Sequence, residues 1–238
     1  MGGIQRVVTT ILNELVKNSD FEVTVIMPFQ MKGDKLFSLD EKVVLMAQED
    51  FIEDRSHKPV RYLLAINKRV GFLNNHLFTK FVEKIRFSEK EKSRYIKFFN
   101  EKEFDVILGA GVEYSLLLGA ISSEVEAKTV GWQHSTFGSY FEKRGSAGYG
   151  LQKYCKKMYS KLDAVWVLTN SDKKEFDSKF GLNCRVFYNP IPQNNNKMSI
   201  HEKGNLLFAG RLEIEHKGLD YLIDIMKSIK KEIPDSKL

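Results

Sequence analysis

Cysteine is scarce in this chain. Its 238 residues contain two, Cys155 and Cys184. They show neither Cys-x-x-Cys nor Cys/His spacing, which excludes a disulfide framework and a cysteine-built zinc site, and both are expected to be reduced thiols in a cytosolic protein. Long apolar runs are also missing. Nothing approaches the ~18 consecutive apolar residues that span a bilayer. The start has no basic stretch followed by a sustained apolar core, so no secretory signal is expected there. Any membrane contact is then peripheral. Proline is rare, five residues, and two of them, Pro190 and Pro192, fall in one segment poor in apolar residues.

What is present is the composition of a globular protein, 42% hydrophobic and 29% charged. The net charge of +6 is local. Between Lys68 and Lys102 there are ten Lys/Arg against four Glu, so the rest of the chain is nearly balanced. Two readings of this strip stand: a solvated helix face, or a surface for anionic lipid. In a helix over 72–100, Phe72, Leu73, Leu77, Phe81, Val82 and Ile85 would be buried while Lys80, Lys84, Arg86 and Lys90 stay wet. No recognised nucleic-acid-binding motif accompanies the strip, so nucleic acid is not expected as a partner.

Short β-rich runs alternate with helical stretches. Strands are expected over 22–27, 43–46, 105–108, 129–133, 164–168, 185–188 and 205–209. Helices are expected over 4–17, 59–69, 72–100, 113–122, 150–161, 171–179 and 219–231. Several strands are unbroken apolar runs, as parallel strands covered on both faces require. The alternation argues for a doubly wound α/β fold. The stretch 188–204, with its prolines and Asn194–Asn196, reads as a linker. Residues 1–190 then form one domain, 191–204 the linker, and 205–238 the beginning of a second. Met1-Gly2-Gly3 leads directly into a helix, whereas a glycine-rich turn of this kind normally follows a strand. The first domain is therefore expected to lack its first strand, and the second to be incomplete.

The most telling phrase is Leu206-Leu207-Phe208-Ala209-Gly210-Arg211-Leu212, followed by Lys217-Gly218-Leu219-Asp220. It reads as strand, turn and helix start, with Arg211 and Lys217 near the strand's carboxyl end, where open α/β sheets bind ligands. Two cations beside a helix N-terminus suit a diphosphate. The alternative is ordinary loop charge. Glu213, Glu215 and His216 lack the spacing of a metal site.

Four segments, in order, carry a resemblance. Gly2-Gly3-Ile4-Gln5-Arg6-Val7-Val8 with Asn13-Glu14-Leu15 resembles the first glycine-rich turn and helix of family 4 glycosyltransferases. Trp132-Gln133-His134-Ser135 is similar to their central histidine loop. Tyr188-Asn189-Pro190-Ile191 is similar to the end of their N-terminal domain, and Gly210-Arg211-Leu212…Lys217-Gly218-Leu219-Asp220 to the start of their donor-binding domain.

The resemblance implies the GT-B architecture: a doubly wound Rossmann-like N-terminal domain, here lacking its first strand, plus the first strand-turn-helix of a truncated second Rossmann-like domain. It implies transfer of a sugar from a nucleotide-diphosphate donor to a glycan or lipid-linked saccharide, with retention, in cell-surface polysaccharide or glycoconjugate synthesis. No metal or other cofactor is expected. The family's acidic donor-site motif lies beyond residue 238, so little activity is expected of these residues alone. Gly2, Gly3, Gly210, Arg211 and Lys217 are implied to face the donor phosphates, glycine permitting close backbone approach. Arg211 and Lys217 would stabilise the departing diphosphate. His134 would touch a sugar hydroxyl or the departing donor, with Trp132 and Ser135 on the sugar and acceptor side; the alternative for His134 is a structural loop histidine.

Trp132, Phe137, Tyr140 and Phe141 are expected around His134, and the glycine-bearing 138–150 segment as a mobile loop. The expected location is the cytoplasm, at the inner face of the membrane if the basic strip rests on lipid. Two other readings remain: a nucleotide-sugar epimerase of the same architecture, and an inactive fragment whose basic face binds membrane or a partner.

Overall fold

The computed structural model describes residues 3–27, 39–52, 58–190, 206–210, 212 and 214–238. The chain divides into two compact units, Met1–Ile191 and Pro192–Leu238. The expected linker, 191–204, lies outside the described residues.

The first unit is α/β with parallel strands. After α1 (Gly3–Leu15), β1 (Thr24–Met27) and β2 (Val44–Ala47) pair in parallel. Four further strands make a second parallel sheet in chain order: β3 (Val106–Ala110), β4 (Lys128–Trp132), β5 (Ala164–Val167) and β6 (Arg185–Val186). One doubly wound sheet was the expectation. The structure has two separate parallel pieces instead, because no described strand joins β1 to β3.

Parallel neighbours need crossover connections. Here they contain α5 (Val112–Ile121), α6 (Gln152–Tyr159) and α7 (Asn170–Phe180). With strands in chain order, right-handed crossovers put all three helices on one sheet face. That face holds the core, where Val165 and Val167 meet Leu116, Phe141, Met158 and Phe176. α5 is apolar almost all round and its residues from Ser115 to Ile121 are buried, as a helix enclosed by other elements must be. Gly119 lets α6 touch it. A Cβ at residue 119 would stand 2.8 Å from the Met158 carbonyl carbon.

The opposite face of the sheet carries Val106, Leu108, Val130, Trp132, Ala164 and Trp166, which the register places together. Val106 and Leu108 are exposed, and the outer edge of β3 has no strand partner among the described residues.

The basic strip departs from the sequence reading. In place of one helix over 72–100 the chain forms a 3-10 turn (His76–Phe78), α3 (Thr79–Arg86) and α4 (Glu89–Glu101), preceded by α2 (Lys58–Val70). The break is local chemistry. Phe87 is extended, and the Ser88 hydroxyl oxygen accepts the Glu91 N–H at 3.1 Å. Ser88…Glu91 is the Ser-x-x-Glu pattern that starts a helix. Leu73 and Val82 are buried as expected, but Phe72, Leu77 and Phe81 are exposed. Arg86 is not wet. It is buried and ion-paired with Glu113 on α5. Among the described residues no helix is long and apolar enough to cross a membrane.

In the second unit, residues 206–209 form no strand, correcting the expected strand over 205–209. The Leu206 N–H donates to the Lys237 carbonyl at 2.8 Å. A four-residue helix, α8 (Ile214–Lys217), and α9 (Leu219–Glu232) follow, joined by Gly218 in the left-handed region at φ 60°. Gly218 takes that conformation without a Cβ penalty.

Candidate functional site

The carboxyl ends of β3 and β4 are drawn together by small residues and one buried polar network. Gly111, at φ 89°, turns the chain from β3 into α5, and its N–H donates to the Trp132 carbonyl at 2.7 Å. Gly109 and Gly131 leave room for α5. A Cβ at Gly131 would stand 2.9 Å from the Ser115 hydroxyl, and one at Gly109 would stand 2.8 Å from the backbone of Tyr114. Ser115 on α5 is buried, and its hydroxyl oxygen is 2.8 Å from the Gly111 carbonyl. The Gln133 side chain, also buried, donates to the Ser115 hydroxyl at 2.8 Å and accepts from the Tyr159 hydroxyl at 2.9 Å. Gln133 N–H donates to the Trp166 carbonyl at 2.8 Å, extending the ladder one residue beyond β4. Tyr114 hydroxyl donates to the Gln48 amide oxygen at 3.0 Å, tying the segment after β2 to the start of α5.

With Gln133 locked towards α5 and α6, the alternation of an extended chain puts His134 with Trp132 on the other face. Their ring centres are 4.1 Å apart. Trp132 also meets Phe187 edge-on at 5.5 Å, and Phe187 stacks on Trp166 at 4.9 Å and 15°. The result is an aromatic platform beside one imidazole, at the carboxyl ends of three parallel strands.

His134 is positioned from its backbone, whose N–H donates to the Tyr140 hydroxyl at 3.3 Å. Both ring nitrogens are covered and have no partner among the described residues, and the Trp132 indole nitrogen is in the same condition. Burial pushes the His134 imidazole down to about 4, so it is neutral near pH 7. A neutral imidazole offers one donor and one acceptor. Burial also raises the Tyr140 phenol above its ordinary value, against the opposing effect of the bond from His134.

The expected site residues divide between the two units. Trp132 and His134 are brought together, and Ser135 follows at the strand end. Gly3 begins α1 with open space where a Cβ would be. Gly210 is exposed at a bend in the second unit and Lys217 is the exposed last residue of α8. Gly2 and Arg211 lie outside the described residues. Among the described residues no group of three His, Cys, Asp or Glu gathers to hold a metal.

Two expectations near His134 are corrected. Of the four aromatics expected around it, Phe137 and Phe141 turn into the core against Phe176 and Phe180. Burying both rings there removes more apolar surface from water than the loop position would. The 138–150 segment is pinned down, not a free loop. Gly138–Glu142 makes a π-helical turn with Phe141 fully buried, and Gly148 N–H donates to the Tyr140 carbonyl at 3.0 Å. Gly150 lies against Gly71, where a Cβ would stand 2.7 Å from the Gly71 Cα. Gly148 and Gly150 serve close contact there, Gly148 against the Phe141 ring and Gly150 against Gly71.

The sequence reading missed Trp166, Phe187 and the Gln133–Ser115–Tyr159 network. The signal for Gln133 was a lone amide ending an apolar strand. For Trp166 it was an aromatic at the place in its strand that Trp132 holds in β4. Compared with protein-family models and with curated proteins, the chain matches none.

Proposed function

We propose that this chain is the acceptor-side domain, with the beginning of the donor-side domain, of a GT-B glycosyltransferase similar to family 4. It moves a sugar from a nucleotide diphosphate to a glycan or lipid-linked saccharide with retention. The observation that carries the reading is His134, a neutral imidazole with both nitrogens unpartnered, beside an aromatic platform at the carboxyl end of a parallel sheet. A sugar supplies what such a site lacks. Once the groups covering the ring nitrogens move aside, its hydroxyls can accept from and donate to a neutral imidazole, and its C–H face can stack on Phe187, the exposed ring of the platform, Trp132 being buried. Buried polar atoms left unpaired are costly, and a ligand hydroxyl would remove that cost.

In a retaining transfer on this reading, the acceptor oxygen bonds to the anomeric carbon as the bond to the phosphate oxygen breaks. The acceptor proton passes to that phosphate oxygen, so His134 orients the sugar and is not the base. Arg211 and Lys217 stabilise the charge that develops on the diphosphate, an effect often worth ~3–4 kcal/mol per key donor. No metal is needed for this step.

The test is transfer of isotope-labelled sugar from a panel of nucleotide diphosphate sugars to lipid-linked saccharides. It is run on this chain and on a polypeptide that also carries the donor-site motif. In the latter, Arg211→Ala or Lys217→Ala should cut turnover on the order of 100-fold. Lys217→Arg should rescue only in part, because a planar guanidinium and a compact ammonium hold phosphate differently. His134→Ala should impair transfer while leaving nucleotide diphosphate affinity nearly unchanged. Acceptor-independent inversion of the sugar would identify an epimerase instead. Full activity of the Arg211→Ala protein would refute the donor assignment.

A further inference from the structure

We propose that the outer faces of α2 and α3 form a docking surface for an anionic phospholipid bilayer, a role separate from sugar transfer. α2 has already met its inward demand: Leu64 lies against the core, and Asn67 is fully buried. The Asn67 side chain accepts the Leu73 N–H at 2.8 Å and donates to the Gly150 carbonyl at 3.0 Å. The corner between α2 and α3 is therefore clamped to the domain. Yet α2 turns a second apolar stripe outward, Tyr62, Ile66 and Val70, at the four-residue spacing of one helical face. All three are exposed, Val70 to 70%.

The next segment repeats the pattern. Leu77 is 85% exposed, with Phe78 and Phe81 also open to solvent. Lys80 and Lys84 are exposed on the same stretch; Lys80, Phe81 and Lys84 share one face of α3 by spacing, and Leu77 precedes them in the 3-10 turn. Inward, Val82 is fully buried. These apolar groups are thus surplus to the core.

Charge selects the occupant. From Lys58 to Lys84 the chain has six Lys/Arg and one acidic residue, Glu83. Lys92 lies 3.5 Å from that carboxylate. A second copy would bring like charges together, and a protein-interface core is typically depleted of lysine. Aromatic and aliphatic groups interleaved with lysines match the boundary between anionic headgroups and acyl chains, where the apolar groups insert and the cations meet phosphate.

The experiment is co-sedimentation of the whole chain with vesicles of phosphatidylcholine alone and with phosphatidylglycerol added, over a salt series. Wild type is expected to bind the anionic vesicles, weakening as salt rises. Lys80→Ala with Lys84→Ala should lower binding on the order of 30-fold at low salt, from about 1 kcal/mol per cation. Leu77→Glu with Phe81→Glu should abolish binding while the far-ultraviolet spectrum and thermal midpoint stay near wild type, both side chains lying outside the core. Equal binding to neutral and anionic vesicles would overturn the proposal. So would absence of binding at low salt, or a dimer in solution that the Leu77→Glu, Phe81→Glu chain no longer forms.

Discussion

His134 should make the stability of this protein fall between neutral pH and pH 4 by an amount that one substitution removes. Its imidazole is held down to about 4 by burial, against an ordinary value of 6.5. Above pH 6.5 the ring is neutral in both folded and unfolded chains and contributes no slope. Between 6.5 and about 4 the unfolded chain takes up a proton that the folded chain refuses. Stability therefore declines as pH falls through that window, and the loss is complete below it. Carried in full, the gap is worth ~3 kcal/mol. The residue as a whole is only half-buried, and solvent screening reduces the effect to ~1–2 kcal/mol. The assay is urea denaturation of wild type and His134→Asn from pH 7.5 to 4.0. The difference between the two curves isolates this residue from every other titrating group. It should be flat above pH 6.5 and then shift against wild type by that amount. Imidazole proton resonances followed by NMR give the titration directly. A midpoint for His134 near 6.5 would refute both the desolvated geometry and the neutral-imidazole role.

Two further outcomes test the scaffold beneath the site. Gly119→Ala should destabilise by about 1–3 kcal/mol in a thermal melt, despite a helix-propensity gain of up to ~1 kcal/mol, because its new methyl meets the Met158 backbone on α6. Gly3→Ala, in open space on α1, is the matched control and should not destabilise. Ser115→Ala strands the Gln133 side-chain amide inside the protein and should cost about 1–3 kcal/mol in urea denaturation. An unchanged midpoint would mean the network does not hold the strand end.

The strands of the first unit were legible because parallel strands write themselves as short apolar runs. Thr24–Met27, Val106–Ala110 and Lys128–Trp132 all fall within two residues of the expected bounds. The helix over 72–100 was misread for a reason also present in the sequence. Ser88 and Glu91 form a start signal, but an unbroken amphipathic rhythm on both sides masks it. Residues 206–209 read as a strand from composition alone, yet pairing needs a neighbour, and composition does not supply one. For the site, Gln133-His134 announced itself as two polar residues closing an apolar run. The partners of that run did not. Ser115, Tyr159 and Phe187 are distant in sequence; helix packing on the sheet brings Ser115 and Tyr159 to Gln133, and the register of β4 to β6 brings Phe187 to Trp132. Arg86 shows the same limit: a cation in a basic strip looks solvated until its partner, Glu113, arrives from α5.

The side of β3 that has no strand partner among the described residues bears on how the protein behaves in the test tube. Val106-Ile107-Leu108-Gly109-Ala110 carries no charge and no proline, and its outer backbone groups face no strand among the described residues. Natural sheets guard such margins with lysine, proline or a bulge, since an unguarded one templates strand addition and aggregation. The chain's net charge of +6 is gathered elsewhere, between Lys68 and Lys102, and so protects this margin little. These five residues are where strand addition at high concentration is expected to begin. A single lysine at Val106, already half open to water, is the smallest change that would guard it.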